Sequence, residues 1–86
     1  MDTFTSRIDI FGTILWTPPM DSADRADRLA AMIQEISIDN DCADFRDFAR
    51  ALDAMGASLI LKPDHHGERD TWTVWLRKGT ALEARA

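Results

Sequence analysis

The sequence predicts an α+β domain of the order β-α-α-β-β, in which two antiparallel helices cover one face of a three-stranded antiparallel sheet. Apolar and polar residues alternate over residues 4–16, which is the period of a strand. Apolar residues then recur every three or four positions over 22–37 and again over 42–55, which is the period of a helix. Two apolar runs, 57–63 and 70–79, flank a short polar segment that contains glycine, as the strands of a β-hairpin do.

The first strand is predicted to be long and continuous. Its even positions keep the same parity across Gly12, which favours a single strand with a bend or bulge at that glycine. The alternative is a hairpin with a two-residue turn at Phe11-Gly12, which would place Ile8 opposite Leu15 and swap the parity. Pro18-Pro19 ends the strand, because proline has no N–H to donate to a neighbouring strand.

Two helices follow. Asp21 or Ser22 is expected to cap the first helix, since a short polar side chain can accept from the free N–H groups of the first turn. The second helix is predicted to begin at Asn40 or Asp41 and to end before Gly56, where a left-handed residue commonly follows a helix. The residues predicted to be buried between helices and sheet are Leu29, Ile33, Phe48 and Leu52.

Composition limits the range of functions. The 86 residues are enough for one small domain spanning 1–86, and the apolar fraction of 45% with three Trp favours a folded chain. A domain of this size has little room for a ligand cavity of ~300–1,000 Å³, so an enzyme is not expected. The lone Cys42 cannot form a disulfide framework. With no signal peptide or membrane-spanning run in the sequence, a cytoplasmic protein is expected.

One stretch suggests chemistry, "PDHHGERD" at residues 63–70. It places His65 beside His66, but neighbours in an extended chain point to opposite sides, and zinc needs three or four ligands. We therefore predict a polar hairpin turn and assign no catalytic residue, no metal ligand and no cofactor. Cys42 is expected to be a small buried residue rather than a nucleophile, because the sequence shows no base to pair with it.

The charge is unevenly distributed. Residues 21–53 contain nine acidic and four basic residues, and the rest of the chain has six of each, so the whole net charge of −5 falls in this segment. Acids spaced by three along the helices suggest an acidic partner-binding face made of Asp24, Asp27, Asp44 and Asp47. Direct binding of nucleic acid is not expected, because it calls for a basic surface.

A second surface is predicted on the face of the sheet that the helices leave uncovered. If the even positions of the first strand face the helices, and Trp72, Val74 and Leu76 of the last strand do too, four large apolar residues point the other way. These are Phe11, Leu15, Ile60 and Trp75. Exposed apolar patches mark interfaces, and Trp is enriched at binding hot spots. These four residues are therefore predicted to bind a partner or a second copy of the chain.

The sequence thus predicts a non-enzymatic protein-interaction domain. The preferred hypothesis is a small acidic inhibitor or regulator of a basic, nucleic-acid-handling protein, similar in size and charge to antitoxins, immunity proteins and phage-encoded blockers of nucleases or CRISPR complexes. The alternative is a homodimeric structural module joined through the sheet face. A third hypothesis is a small metal-dependent enzyme that uses the His65-His66 loop.

Overall fold

The structure, a computed structural model, describes residues 2–62 and 71–86 and has an α+β fold. Its described elements are, in chain order, β1 (Arg7–Ile10), β2 (Thr13–Trp16), α1 (Ala23–Asp39), α2 (Phe45–Ala54), β3 (Ala57–Lys62), β4 (Thr71–Leu76) and α3 (Ala81–Arg85). The strands form one sheet in the order β1-β2-β4-β3. β1 pairs with β2 and β3 with β4 in antiparallel fashion, whereas β2 and β4 are parallel.

The α+β class is therefore confirmed, but the predicted sheet is wrong in detail. Among the described residues the sheet is mixed and has four strands instead of three, because residues 4–16 do not form one strand. Phe11 and Gly12 both have positive φ values, 51° and 71°, as a two-residue type I′ turn requires. This turn places Ile8 opposite Leu15, the register of the alternative hairpin.

The alternation was ambiguous because Ile14, Leu15 and Trp16 are all apolar, so either parity beyond Gly12 gives an apolar inner face. The turn also lacks the usual Asn-Gly or Asp-Gly signature. A phenylalanine with positive φ is strained, and here the Phe11 ring packs with its centroid 6.1 Å from that of Phe48. That contact favours a turn residue that backbone preference alone would not select.

The two long helices begin at side-chain caps. The Ser22 hydroxyl accepts the Arg25 N–H at 3.1 Å and caps α1, which agrees with one of the two predicted caps. α2 begins after Asp44, later than the predicted start at Asn40 or Asp41. The difference arises because α1 continues to Asp39 and Asp41 then adopts the left-handed conformation, with φ of 52°.

A third helix, α3, docks the end of the described chain onto the core. Its Leu82 is buried, and the Leu82 N–H donates to the Met55 carbonyl at 3.3 Å. Gly56, which follows the α2 cap with φ of 99° as predicted for a helix end, lies directly under the Thr80 side chain. The docking of α3 therefore depends on a residue without a Cβ at position 56.

The core lies between the helices and one face of the sheet. All four residues predicted to be buried there are at most 1% exposed: Leu29, Ile33, Phe48 and Leu52. α1 packs against β1, and α2 packs against β3, so the two helices lie over opposite edges of the sheet. In the part of the chain that the structure describes, no helix is both long enough and apolar enough to cross a membrane.

Candidate functional site: the uncovered face of the sheet

Cross-strand pairing assigns each strand residue to one of the two faces, because directly paired residues share a face. The face towards the helices contains the pairs Ile8–Leu15 and Leu59–Val74. On the opposite face, Thr73 pairs with Trp16 of β2 and with Ile60 of β3. Trp75 and Ile14 lie two residues from Thr73 and Trp16, and therefore share that face. We call the apolar residues of this face the sheet face: Ile14, Trp16, Ile60 and Trp75.

The sheet face is open to solvent over its β3 and β4 half. Ile60 is 51% exposed and Trp75 is 43% exposed, whereas Ile14 and Trp16 are half-buried. The buried core is built from the other face, so the packing of the helices does not account for these apolar residues. Two Trp and two Ile thus occupy the side of the sheet where polar residues are expected to meet water.

Charged residues border the sheet face on both edge strands. On β3, the Lys62 ammonium lies 5.9 Å from the centroid of the Trp16 ring, a cation–π contact across β4. On β1, Arg7 Nε donates to Asp9 Oδ1 at 3.0 Å. An apolar centre with a polar border is the usual arrangement of a protein–protein interface.

The structure agrees with half of the sequence-based assignment of this surface. Ile60 and Trp75 lie on it, as predicted. Leu15 does not, because it is fully buried in the core, and Phe11 sits at the hairpin turn against Phe48. The turn swaps the parity of β2, so Ile14 and Trp16 take the places that were assigned to Phe11 and Leu15. The alternative hairpin, which pairs Ile8 with Leu15, already implied this placement of Ile14 and Trp16.

Three of the four predicted acidic residues accept hydrogen bonds within the chain. Asp44 Oδ1 accepts the Asp47 N–H at 2.9 Å, and Asp47 Oδ2 accepts the Ala43 N–H at 3.2 Å. These two carboxylates therefore satisfy backbone donors at the start of α2. Asp27 Oδ1 accepts from the Ser6 hydroxyl. Asp24 is exposed in the first turn of α1, where a negative charge favours the helix dipole.

The four acids divide into two pairs rather than forming one face. Asp24 and Asp27 lie at the start of α1, whereas Asp44 and Asp47 lie beyond its end at Asp39. The helix rises roughly 18 Å between Asp27 and Asp39, at about 1.5 Å per residue. Basic residues also interrupt the acidic surface near the first pair, where a cleft of about 100 Å³ is lined in part by Arg25, Arg28 and Arg85.

A second concavity, larger than that cleft, surrounds the β1–β2 turn. It has a volume of about 340 Å³ and is lined by Arg7, Asp9 and residues 10–14. Its titratable side chains in the described lining, Arg7 and Asp9, are hydrogen-bonded to each other. The concavity is large enough for a small ligand, but this ion pair gives it no base positioned against a nucleophile.

Cys42 has an environment that disfavours its reactive form. The side chain packs against the core from the loop between α1 and α2. Burial raises the pKa of the Cys42 thiol, and the carboxylates of Asp47, Asp41 and Asp44 raise it further. A raised pKa lowers the fraction of thiolate, which is the nucleophile and the metal ligand.

Metal binding was predicted to be absent, and the segment relevant to it falls outside the described residues. His65 and His66 belong to residues 63–70, so the structure does not test their role. Among residues 2–62 and 71–86, no three His, Cys, Asp or Glu side chains converge in a way that could hold a metal ion.

Comparisons with known proteins give no further guidance. No protein-family model matches the chain, and no match was found among curated proteins or among solved structures. The function has to be inferred from the chain's own geometry.

Proposed function

We propose that this chain is a non-enzymatic protein-interaction domain whose contact surface is the sheet face. The observation that carries the proposal is the presence of Trp16, Trp75, Ile14 and Ile60 on the side of the sheet opposite the helices. A sheet with one face towards water normally presents polar residues there. A contiguous apolar patch in that place is typical of an interface.

The chemistry of the sheet face indicates the kind of partner. Its centre is aromatic and aliphatic, which fits an apolar surface on another protein. Its border carries both signs of charge, with Arg7 and Asp9 on β1 and Lys62 on β3. A strongly charged ligand would meet like charge at part of this border, so the partner we propose is a protein with an apolar centre and a mixed polar rim. Cys42 is free, which suits a reducing compartment, and we propose that the partner is cytoplasmic.

The test compares two exposed isoleucines and one exposed tryptophan. Trp75→Ala and Ile60→Ser alter the sheet face, whereas Ile38→Ser alters a residue that is 75% exposed near the end of α1. Partners are isolated from the source cell with the wild-type chain, and the affinity of each variant is then measured by titration calorimetry. We expect Trp75→Ala to weaken binding by about 30-fold, which corresponds to a hot-spot loss of about 2 kcal/mol.

Ile38→Ser should bind like the wild type, and all variants should keep the wild-type melting temperature. Wild-type affinity in both folded sheet-face variants would refute the proposal. If Ile38→Ser also lost affinity, the losses would not be specific to the sheet face, and this result would count equally against the proposal.

A second candidate function is the acidic inhibitor or regulator of a basic, nucleic-acid-handling protein. Supporting it is the confinement of the net charge of −5 to residues 21–53, which form α1, α2 and their connections. Replacing Asp24, Asp27, Asp44 and Asp47 by Asn removes four charges and keeps an acceptor oxygen at each cap. If this surface binds, the quadruple variant should lose affinity, and wild-type binding should weaken steeply between about 0.05 and 0.5 M salt. Salt-independent binding that survives the quadruple substitution would exclude this candidate.

A further inference from the structure

β3 is an edge strand of the sheet that the described residues form. In the described part of the chain it pairs with β4 on one side and with no strand on the other. Its six residues, ASLILK, are apolar apart from Ser58 and the terminal Lys62, and Ile60 and Leu61 are 51% and 48% exposed. Long apolar edges of this kind are templates for pairing with another strand unless the fold protects them.

The hydrogen-bonding pattern between β3 and β4 shows which backbone groups of β3 point towards the outer edge of the sheet. The Arg77 N–H donates to the Gly56 carbonyl at 2.8 Å, so the bonded pairs that follow are Ser58–Trp75 and Ile60–Thr73. The backbone groups of the intervening residues, Ala57, Leu59 and Leu61, then point away from β4.

One end of this edge is already covered by the chain itself. Arg77 Nη1 donates to the Ala57 carbonyl at 3.3 Å. This contact agrees with a carbonyl that points away from β4. The same guanidinium also bonds the Ser58 hydroxyl and the Asp53 carboxylate, at 2.8 and 3.2 Å. The part of the edge that remains for pairing is therefore short, and it consists of the N–H and C=O groups of Leu59 and Leu61.

We propose that two copies of this chain pair through their β3 edges, antiparallel, about a two-fold axis that passes between the two Ile60 residues. In this register Leu59 faces the partner's Leu61, and Leu61 faces the partner's Leu59. In each copy the N–H and C=O groups of Leu59 and Leu61 point outward. Paired across the two-fold axis, the groups of the two copies make four inter-chain hydrogen bonds in all. The result is a continuous eight-stranded sheet, with the two sheet faces side by side.

A second copy fits this edge because the segment is self-complementary. Leu59-Ile60-Leu61 reads the same in both directions, so every apolar side chain meets an apolar one in the two-fold arrangement. At the ends, Ser58 faces the partner's Lys62. The Arg77 guanidinium that bonds the Ser58 hydroxyl is itself paired with the Asp53 carboxylate, which offsets its charge at this end of the edge.

Charge also favours the β3 edge over the β1 edge. The outward-facing residues of β1 are Arg7 and Asp9, by the same alternation, and charged residues on an edge are a common protection against pairing. α1, with its acidic first turns, packs against β1 at the far side of the sheet. Two copies joined at β3 therefore keep their α1 acids far apart. This inference does not rest on the proposed function of the sheet face.

The first test uses sedimentation equilibrium over a range of concentrations. We expect the wild type to reach twice its mass of 9.7 kDa and to dissociate on dilution, because so short an edge buries less than the ~800 Å² per partner of a standard interface. Leu61→Pro removes one outward N–H per copy and leaves the β4 ladder intact, so it should raise the dissociation constant at least about tenfold. The matched control, Leu61→Ala, keeps the N–H and should weaken the dimer less.

The second test fixes the register, in a Cys42→Ser background. Across the two-fold axis the two Ile60 positions lie about 4.5–5.5 Å apart, within reach of a disulfide, so Ile60→Cys should give a covalent dimer on mild oxidation. Ser58→Cys lies on the same face of the same strand, but the two copies of that position are about 13 Å apart, four residues along the strand. It should remain reduced.

A wild type that stays monomeric at high concentration would overturn the proposal, as would equal cross-linking of the two cysteine variants. A dimer that resists Leu61→Pro but is lost in Trp75→Ala would also overturn it, because that result places the contact on the sheet face. Failure of the sheet-face variants to affect binding of another protein leaves the cross-linking result unchanged, so the two proposals fail separately.

Discussion

Replacing Gly56 by Ala should destabilise the domain far more than the loss of a surface glycine does. Gly56 has φ of 99°, a backbone conformation that residues with a Cβ rarely adopt. A Cβ built there would overlap the side chain of Thr80. Thr80 immediately precedes α3, which the chain docks through Leu82. The substitution therefore has two effects: it strains the backbone at position 56, and it displaces α3 from the core.

The structure sets the size of both effects. A left-handed backbone costs a residue with a Cβ roughly 1–2 kcal/mol. The largest change needed to relieve the overlap is the undocking of α3 from the core. Undocking exposes the Leu82 side chain, at a cost of about 1.5–3 kcal/mol. The free energy of unfolding should thus fall by roughly 2.5–5 kcal/mol, a large part of the ~5–15 kcal/mol typical of a domain.

The assay is urea denaturation of the wild type and four variants. Gly79→Ala is the matched control, because Gly79 has φ of 77° and no atom within 4 Å of a built Cβ, so it should lose only the ~1–2 kcal/mol of strain. Thr80→Gly removes the overlapped atoms, and the double variant with Gly56→Ala should be less destabilised than the sum of the two single variants. Equal losses for Gly56→Ala and Gly79→Ala would refute the reasoning, as would additive effects in the cycle.

Three other predictions concern the core, the first turn and the thiol. Phe48→Ala should cost about 3–5 kcal/mol, while Ile38→Ala stays within about 0.5 kcal/mol, and equal melting temperatures would show that the helix faces are misassigned. Gly12→Ala should cost about 1 kcal/mol in urea denaturation and Gly12→Asn much less, since Asn tolerates positive φ; equal costs would argue against the type I′ turn. Because burial first and Asp47 second raise the pKa of Cys42, its alkylation should reach half-maximal rate at a higher pH in the native than in the unfolded chain. A group with a raised folded-state pKa loses its stabilising contribution as pH rises, so stability should decline more steeply above about pH 8.5 in the wild type than in Cys42→Ala.

The helices and the core were predictable because helical periodicity is redundant. In α1 the stripe that includes Leu29 and Ile33 repeats over about three turns, so an error of one residue at either end leaves its inward face unchanged. Helix ends are less constrained. The second helix starts at the Asp44 cap, and several nearby residues, including Asn40 and Asp41, have side chains that could have capped it equally well.

The sheet was less predictable because a strand has only two faces and a single residue decides between them. For β3 and β4 the polar positions Ser58 and Thr73 mark the outer face, and Ile60 and Trp75 were placed there correctly. The polar position of β2, Thr13, pairs with Ile10 on the inner face and therefore marks the wrong side. At the turn, the Phe11 ring contacts Phe48, 37 residues away in the sequence, and a local pattern cannot reveal such a contact.

The acidic residues show a further limit, because a count of charges does not distinguish a carboxylate that caps a helix from one that is available to a partner. Asp44 and Asp47 serve the start of α2, where loss of a cap costs roughly 0.5–2 kcal/mol. Reversing them to Lys would therefore weaken a partner's binding even if no partner ever touched them, because α2 packs on β3 and supports the sheet behind Ile60. Substitution by Asn separates the two causes, since it removes the charge and keeps the cap. Only a loss of affinity in the Asn variants, at unchanged stability, can be attributed to an acidic binding surface.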